Sequence, residues 1–130
     1  MTAAARPLSL RLLVCGDRHW SDYETIFNTI ASLGKVDVVI VGDADGADRL
    51  ARRAASGLGI LTRMFIAEWK KYGKGAGPIR NRRMIKEGKP NLVVAFHNDL
   101  SKSKGTRDTV ELARKFGIPV RLVKSHNGVG

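Results

Sequence analysis

Between Asp37 and Val41 every residue but the first is Val or Ile, and the run ends at Gly42. A strand with one wet face alternates apolar and polar residues; one without alternation is covered on both faces, which is the condition of a parallel sheet between helix layers. The rest of the chain fits that constraint. Leu8 to Cys15, Ile60 to Ile66, Asn91 to Phe96 and Pro119 to Val123 read as four further strands. Between them lie segments of helical period. Ser21 is the expected cap of the first, with Glu24 three residues on, before Ile26, Phe27, Ile30 and Leu33. Asp45 to Gly57 is the second, Pro78 to Gly88 the third with proline in its first turn, and Thr106 to Phe116 the last. Strands alternating with helices predict an α/β fold, a three-layer α/β/α sandwich with a mainly parallel five-stranded Rossmann-like sheet.

At 130 residues the chain has the length of one domain, with a core expected over about 8–124 and loose ends at 1–7 and 125–130. The lone Cys15 permits no internal disulfide and reads as a buried, inert thiol. No apolar run approaches the length of a membrane span and no secretory leader is evident, so a cytoplasmic location is expected and no membrane partner. The abundance of Ala and Arg suits a high-GC bacterium or its phage.

In an open parallel sheet ligands bind beyond the carboxyl ends of the strands, where the strand order reverses. The glycines mark those exits: Gly16 after the first strand, Gly42 and Gly46 after the second, Gly105 after the fourth. The turn after the second strand reads Gly42, Asp43, Ala44, Asp45, Gly46, Ala47, Asp48. Glycine lets backbone approach a ligand, and the next helix offers amides at its amino end. Asp45 is equally a helix cap, with Asp48 in the first turn complementing the helix dipole. A calcium loop is excluded, because aligning Gly46 with the template glycine puts Val41 at the first ligand position and Arg52 where a bidentate Glu is needed. No metal and no cofactor is expected.

The third helix places Arg80 and Asn81 near the same edge. A cation in a first turn opposes the dipole, so Arg80 is better explained by phosphate or carboxylate recognition. After the fourth strand, Ser101, Lys102, Ser103, Lys104, Gly105 and Thr106 form a small, basic, hydroxyl-bearing turn, an anion cradle in which Thr106 also serves as a cap. Neither G-x-x-x-x-G-K-[ST] nor G-x-G-x-x-G is present. Arg18 as a phosphate contact and Trp20 as a stacking ring complete the edge after the first strand, and His97 is a candidate acid or base.

Lys and Arg number 23 against 12 Asp and Glu, a net charge of +11, which points to an anionic partner. The excess gathers in Lys70, Lys71, Lys74, Arg82 and Arg83, a solvated helix face or a nucleic-acid surface.

Gly16 with Arg18, the G-x-A-x-G-A-D run from Gly42 to Asp48, Trp69, the A-G-x-x-R-N-x-x-M run from Ala76 to Met84, and Gly105 with Thr106 together resemble the YspA-like branch of the SLOG superfamily. These are Rossmann-like nucleotide-sensing domains related to the Lonely Guy phosphoribohydrolases and to DprA. The resemblance implies a nucleotide or nucleotide-derived ligand at the strand edge, with Gly105 and Thr106 on its phosphate. Two alternatives follow. One is N-glycosidic hydrolysis of a nucleoside monophosphate; the position of the phosphoribohydrolase glutamate is Thr109 here, so Arg80 would act with Asp45 or Asp48. The other is a DprA-like binder of single-stranded nucleic acid using the basic segment. Association with further copies of the chain stays open.

Overall fold

The computed structural model describes residues 9–126. Five strands, β1 (Leu10–Gly16), β2 (Val36–Gly42), β3 (Leu61–Phe65), β4 (Leu92–Phe96) and β5 (Val120–Val123), form one sheet in the order β3-β2-β1-β4-β5. Every pairing is parallel, with Leu13 opposite Ile40 on one side and Val93 on the other. The helices are α1 (Tyr23–Ser32), α2 (Ala47–Gly57), α3 (Trp69–Tyr72), α4 (Ala76–Lys86) and α5 (Lys104–Lys115).

The alternation of side chains along a strand splits the core in two. Leu12 and Val14 of β1, Val39 and Val41 of β2, and Val94 and Phe96 of β4 pack with Ile26 and Ile30 of α1 and the small residues Ala47, Ala51, Ala54 and Ala55 of α2. Leu13, Cys15, Val38, Ile40, Val93 and Ala95 face the other way, against Met84 and Ile85 of α4 and Val110 and Ala113 of α5. This is the three-layer α/β/α arrangement. The alanines of α2 let that helix lie close to the sheet. Removing branched side chains of this kind from water contributes roughly 1.5–3 kcal/mol each, so the continuous run in β2 is explained by two apolar coverings. The order reverses between β1 and β4: the chain builds outward to β3, then crosses back to β4, and the loops after β1 and β4 diverge to leave a crevice.

Several local expectations shift. Asp22 rather than Ser21 caps α1, its carboxylate accepting from the Thr25 N–H at 3.1 Å and the Thr25 hydroxyl at 2.6 Å. The second helix begins at Ala47, not Asp45, and its amino end carries no side-chain cap. Instead the Ala47 amide donates to the Asp17 carbonyl at 2.9 Å. Gly46, at φ 67°, lies against the Arg18 backbone, where a Cβ has no room. The third long helix begins at Ala76, which leaves Pro78 in its first turn, and the short α3 with a 3₁₀ turn at Gly73–Gly75 fills the preceding gap. Ser103, not Thr106, caps α5, accepting from the Thr106 N–H at 3.2 Å.

Of the expected loose ends, 1–7 and 127–130 lie outside the described residues. Ser125 and His126 are tied down: the Ser125 amide donates to Asn98 Oδ1 at 2.9 Å and the His126 amide to Asp22 Oδ2 at 2.8 Å.

Candidate functional site

A cleft of about 520 Å³ opens at the reversal point, beyond the carboxyl ends of β1 and β4. Gly16 and Arg18 border it after β1, Asp48 rises from the first turn of α2, Arg80 and Asn81 come from α4, and Lys104, Gly105 and Thr106 from the start of α5. These eight residues, drawn from four separate chain segments, are brought together. The cleft also has Cys15 at its floor, Asp17 and His97 at the strand exits, and Trp69 and Lys102 at its rim.

The amino end of α5 opens into the cleft. Helical geometry leaves the first amides without intrahelical acceptors; Ser103 satisfies that of Thr106, and those of Lys104 and Gly105 precede it. An added Cβ on Gly105 meets nothing within 4 Å. Lys102, Lys104 and Arg18 are exposed around this end, so helix dipole and side-chain charge both favour an anion.

Arg80 differs from the free cation that its sequence position suggested. Its Nη1 lies 2.8 Å from Asp43 Oδ1, and its side chain is 12% exposed against 28% for Asp43. Nε donates to Asn81 Oδ1 at 3.0 Å. The Asn81 amide in turn donates to Asp108 Oδ2 at 3.1 Å, which ties α4 to α5. Asp43 is thus a partner of Arg80 behind the cleft wall, and its Oδ1 also accepts from the Ala67 amide at 3.2 Å. Gly42 serves the same arrangement: a Cβ there would stand 2.5 Å from Arg80 Nη1 and 2.6 Å from Asp48 Oδ2. Close approach is indeed what this glycine permits, but of side chains to the backbone.

Asp48 is 6% exposed and accepts from the Ala44 amide at 3.3 Å. Burial pushes its pKa from 3.8 up to about 6; Arg80, the Ala44 amide and Arg52 oppose the rise and Asp43 adds to it. Burial likewise pushes the Cys15 thiol up, as does the Asp48 charge, while Arg80 pulls it down. Cys15 is therefore a protonated, unreactive floor. The His97 ring accepts from the Asp99 amide at Nδ1, 2.9 Å away. That places the proton of the neutral ring on Nε2, which faces Asp17 Oδ2 at 3.9 Å.

Trp20 is not at the edge. It is 2% exposed, packed edge-on against Phe96 with ring centroids 5.6 Å apart, and its indole N–H donates to the Asp22 carbonyl at 2.8 Å. A core ring cannot stack on a ligand. Asp45 is exposed and outside the cleft lining, and Gly46 packs under the Arg18 backbone. No metal-ligating cluster forms among the described residues. Thr109 is buried at 1% exposure, its hydroxyl 3.4 Å from the Gly105 carbonyl, so the helix face expected to carry a catalytic glutamate turns to the core. Lys70, Lys71, Lys74 and Arg82 are exposed, and Arg83 pairs with Glu87 at 2.8 Å. Asp17 was not singled out from sequence; its signal is that it directly follows Gly16 at the first strand exit. No helix among the described residues is long and apolar enough to cross a membrane.

The model of the family described as "YspA, cpYpsA-related SLOG family" matches residues 10–72, from β1 through α3. The Gene 61 protein of Mycobacterium phage D29 is 36% identical over 119 residues, covering 85% of this chain and 93% of the phage protein. The chain belongs to the YspA, cpYpsA-related SLOG family. The X-ray structure of DNA processing protein A (DprA) from Streptococcus pneumoniae shares the fold of this chain, with a TM-score of 0.57 and 20% identity over 93% of the chain. The chain spans 60% of the DprA chain. The SLOG match holds the β1 and β2 exits but stops before Arg80, Asn81 and the α5 seat, which rest on the geometry above.

Proposed function

We propose that the cleft binds a nucleotide or nucleotide-derived molecule, its phosphate seated on the amino end of α5. The observation that carries this is the coincidence, at the β1–β4 reversal, of an open cleft of about 520 Å³ with unspent α5 amides ringed by Lys102, Lys104 and Arg18. Arg80 acts here as a fixed wall, its charge balanced by Asp43; Lys104, exposed at the start of α5, is placed to meet phosphate together with Lys102 and Arg18. Family membership supports the same reading. The test is thermal denaturation with nucleoside mono-, di- and triphosphates, ADP-ribose and short single-stranded DNA at matched ionic strength, since a ligand of the native state raises Tm by mass action. A rise with a small nucleotide that shrinks in Lys104→Ala is expected. No rise with any phosphate-bearing molecule overturns the reading. A rise with DNA alone, lost at moderate salt, transfers the function to the basic segment around Lys70, Lys71, Lys74 and Arg82.

Asp48 favours a second reading, N-glycosidic hydrolysis of a nucleoside monophosphate. It lines the cleft, and its pKa of about 6 suits a group that donates a proton to a departing base near neutral pH. Asp45, exposed and off the cleft, is not required. Release of free base and ribose 5-phosphate, abolished in Asp48→Asn, is the expected sign of hydrolysis; their absence above background removes this reading and leaves binding.

A further inference from the structure

A second hollow, of about 440 Å³, opens between α4 and α5 and is continuous with the phosphate cleft, sharing Trp69 and Lys104 with it. Trp69 is 58% exposed. Its Cη2 lies 3.5 Å from where a Cβ on Gly77 would stand, so the ring rests on the first turn of α4 with much of its surface toward solvent. Across the hollow, Lys104, Asp108 and Glu111 succeed one another at i, i+4 and i+7 along α5, one face of a helix. Asp108 is engaged by the Asn81 amide at 3.1 Å. The Glu111 carboxylate has no side-chain partner among the described residues.

We propose that this side groove is a base-recognition subsite for a guanine nucleotide, with the base stacked on Trp69 and its Watson–Crick edge donating to Glu111. It rests on the phosphate reading above, because the same molecule would place its phosphate at Lys104 and Gly105. Two arguments carry it. The first is reach. Lys104 and Glu111 are separated by about 10 Å along the axis at 1.5 Å per residue, comparable to the span from the 5′-phosphate of an extended nucleotide to the Watson–Crick edge of its base. The second is donor pattern. An ionised carboxylate only accepts hydrogen bonds, through two adjacent oxygens. Guanine presents two adjacent donors, the ring N1–H and the 2-amino group. Adenine and cytosine set an acceptor nitrogen beside their amino group, and uracil sets a carbonyl on each side of its single N–H. Only guanine meets the carboxylate without opposing one acceptor to another.

The test is calorimetric titration of the full chain with ribose 5-phosphate, GMP, IMP and AMP at fixed ionic strength. Wild type is compared with Trp69→Ala and Glu111→Gln, both exposed positions whose folding is checked by an unchanged Tm. GMP should bind roughly tenfold or more tighter than AMP, as expected for hydrogen bonds to a charged acceptor, with IMP, lacking the amino group, between them. Glu111→Gln should collapse the GMP-to-AMP ratio toward one and leave ribose 5-phosphate unchanged. Trp69→Ala should weaken GMP and AMP alike, by roughly tenfold from lost stacking, and ribose 5-phosphate by clearly less. Equal affinity for all four molecules, unchanged in both variants, refutes the side groove while sparing the phosphate seat. Preference for AMP over GMP refutes the guanine assignment. No binding of any of the four, ribose 5-phosphate included, removes the phosphate reading and the side groove with it.

Discussion

Asp48→Asn should stabilise the protein at neutral pH, and by an amount that depends on pH in a definite direction. Asp48 is buried at 6% exposure, with a folded-state pKa raised from 3.8 to about 6. Between these values the folded chain holds a proton that the unfolded chain has released, so stability falls as pH rises through this window and is level above it. At about 1.4 kcal/mol per pH unit the full cost of ionising Asp48 is roughly 3 kcal/mol. Asparagine is not ionised at any pH in the window, keeps a carbonyl for the Ala44 amide, and leaves Arg80 paired with Asp43. The variant should therefore gain on wild type by roughly 3 kcal/mol between pH 4 and pH 7, about 10 °C in Tm for a domain of this size. Paired denaturation curves at constant ionic strength measure it. Asp22, Glu87 and Asp99, whose pKa values are lowered, make the stability of both proteins rise with pH, and that common trend cancels in the difference. A packing penalty of the substitution adds a constant offset, so the slope decides. Parallel curves, or a gain that appears as pH falls, would refute the argument that burial dominates at Asp48.

Breaking the partly buried ion pair by Arg80→Ala should cost about 2 kcal/mol by chemical denaturation, because Asp43 loses its partner and Asp48 its nearby cation; Asp43→Asn should cost less. Gly42→Ala should displace Arg80 and weaken nucleotide binding in a titration, whereas Gly105→Ala, with open space at its Cβ, should fold at least as well as wild type, by up to about 1 kcal/mol from helix propensity. Asp22→Ala should cost about 1 kcal/mol as a lost α1 cap. That cost is present near neutral pH and vanishes as pH falls below 3.8, since the Asp22 pKa is held down by the amide of His126 and by Thr25.

The apolar run of β2 dictated parallel strands between two helix layers, because burial on both faces is a property of the run itself. The glycine exits and the basic, hydroxyl-bearing turn from Lys102 to Thr106 marked the sheet edge at which the cleft opens, since strand ends and helix starts are local signals too. Cap identity was less legible: Ser21 and Asp22 are both good N-caps, and Asp22 also holds the amide of His126, which is 104 residues away. What tertiary structure alone decided is the partner of each polar group. Arg80 read as a free cation until folding brought Asp43, 37 residues distant, to 2.8 Å. The α2 amino end read as a ligand cradle, but the chain leaving β1 occupies it through the Asp17 carbonyl. Trp20 is drawn into the core by Phe96, while Trp69, on the short helix after the edge strand β3, is left in the open. Residue type and spacing fix which groups can bind; which of them remain unspent is fixed only when distant segments meet and satisfy one another first.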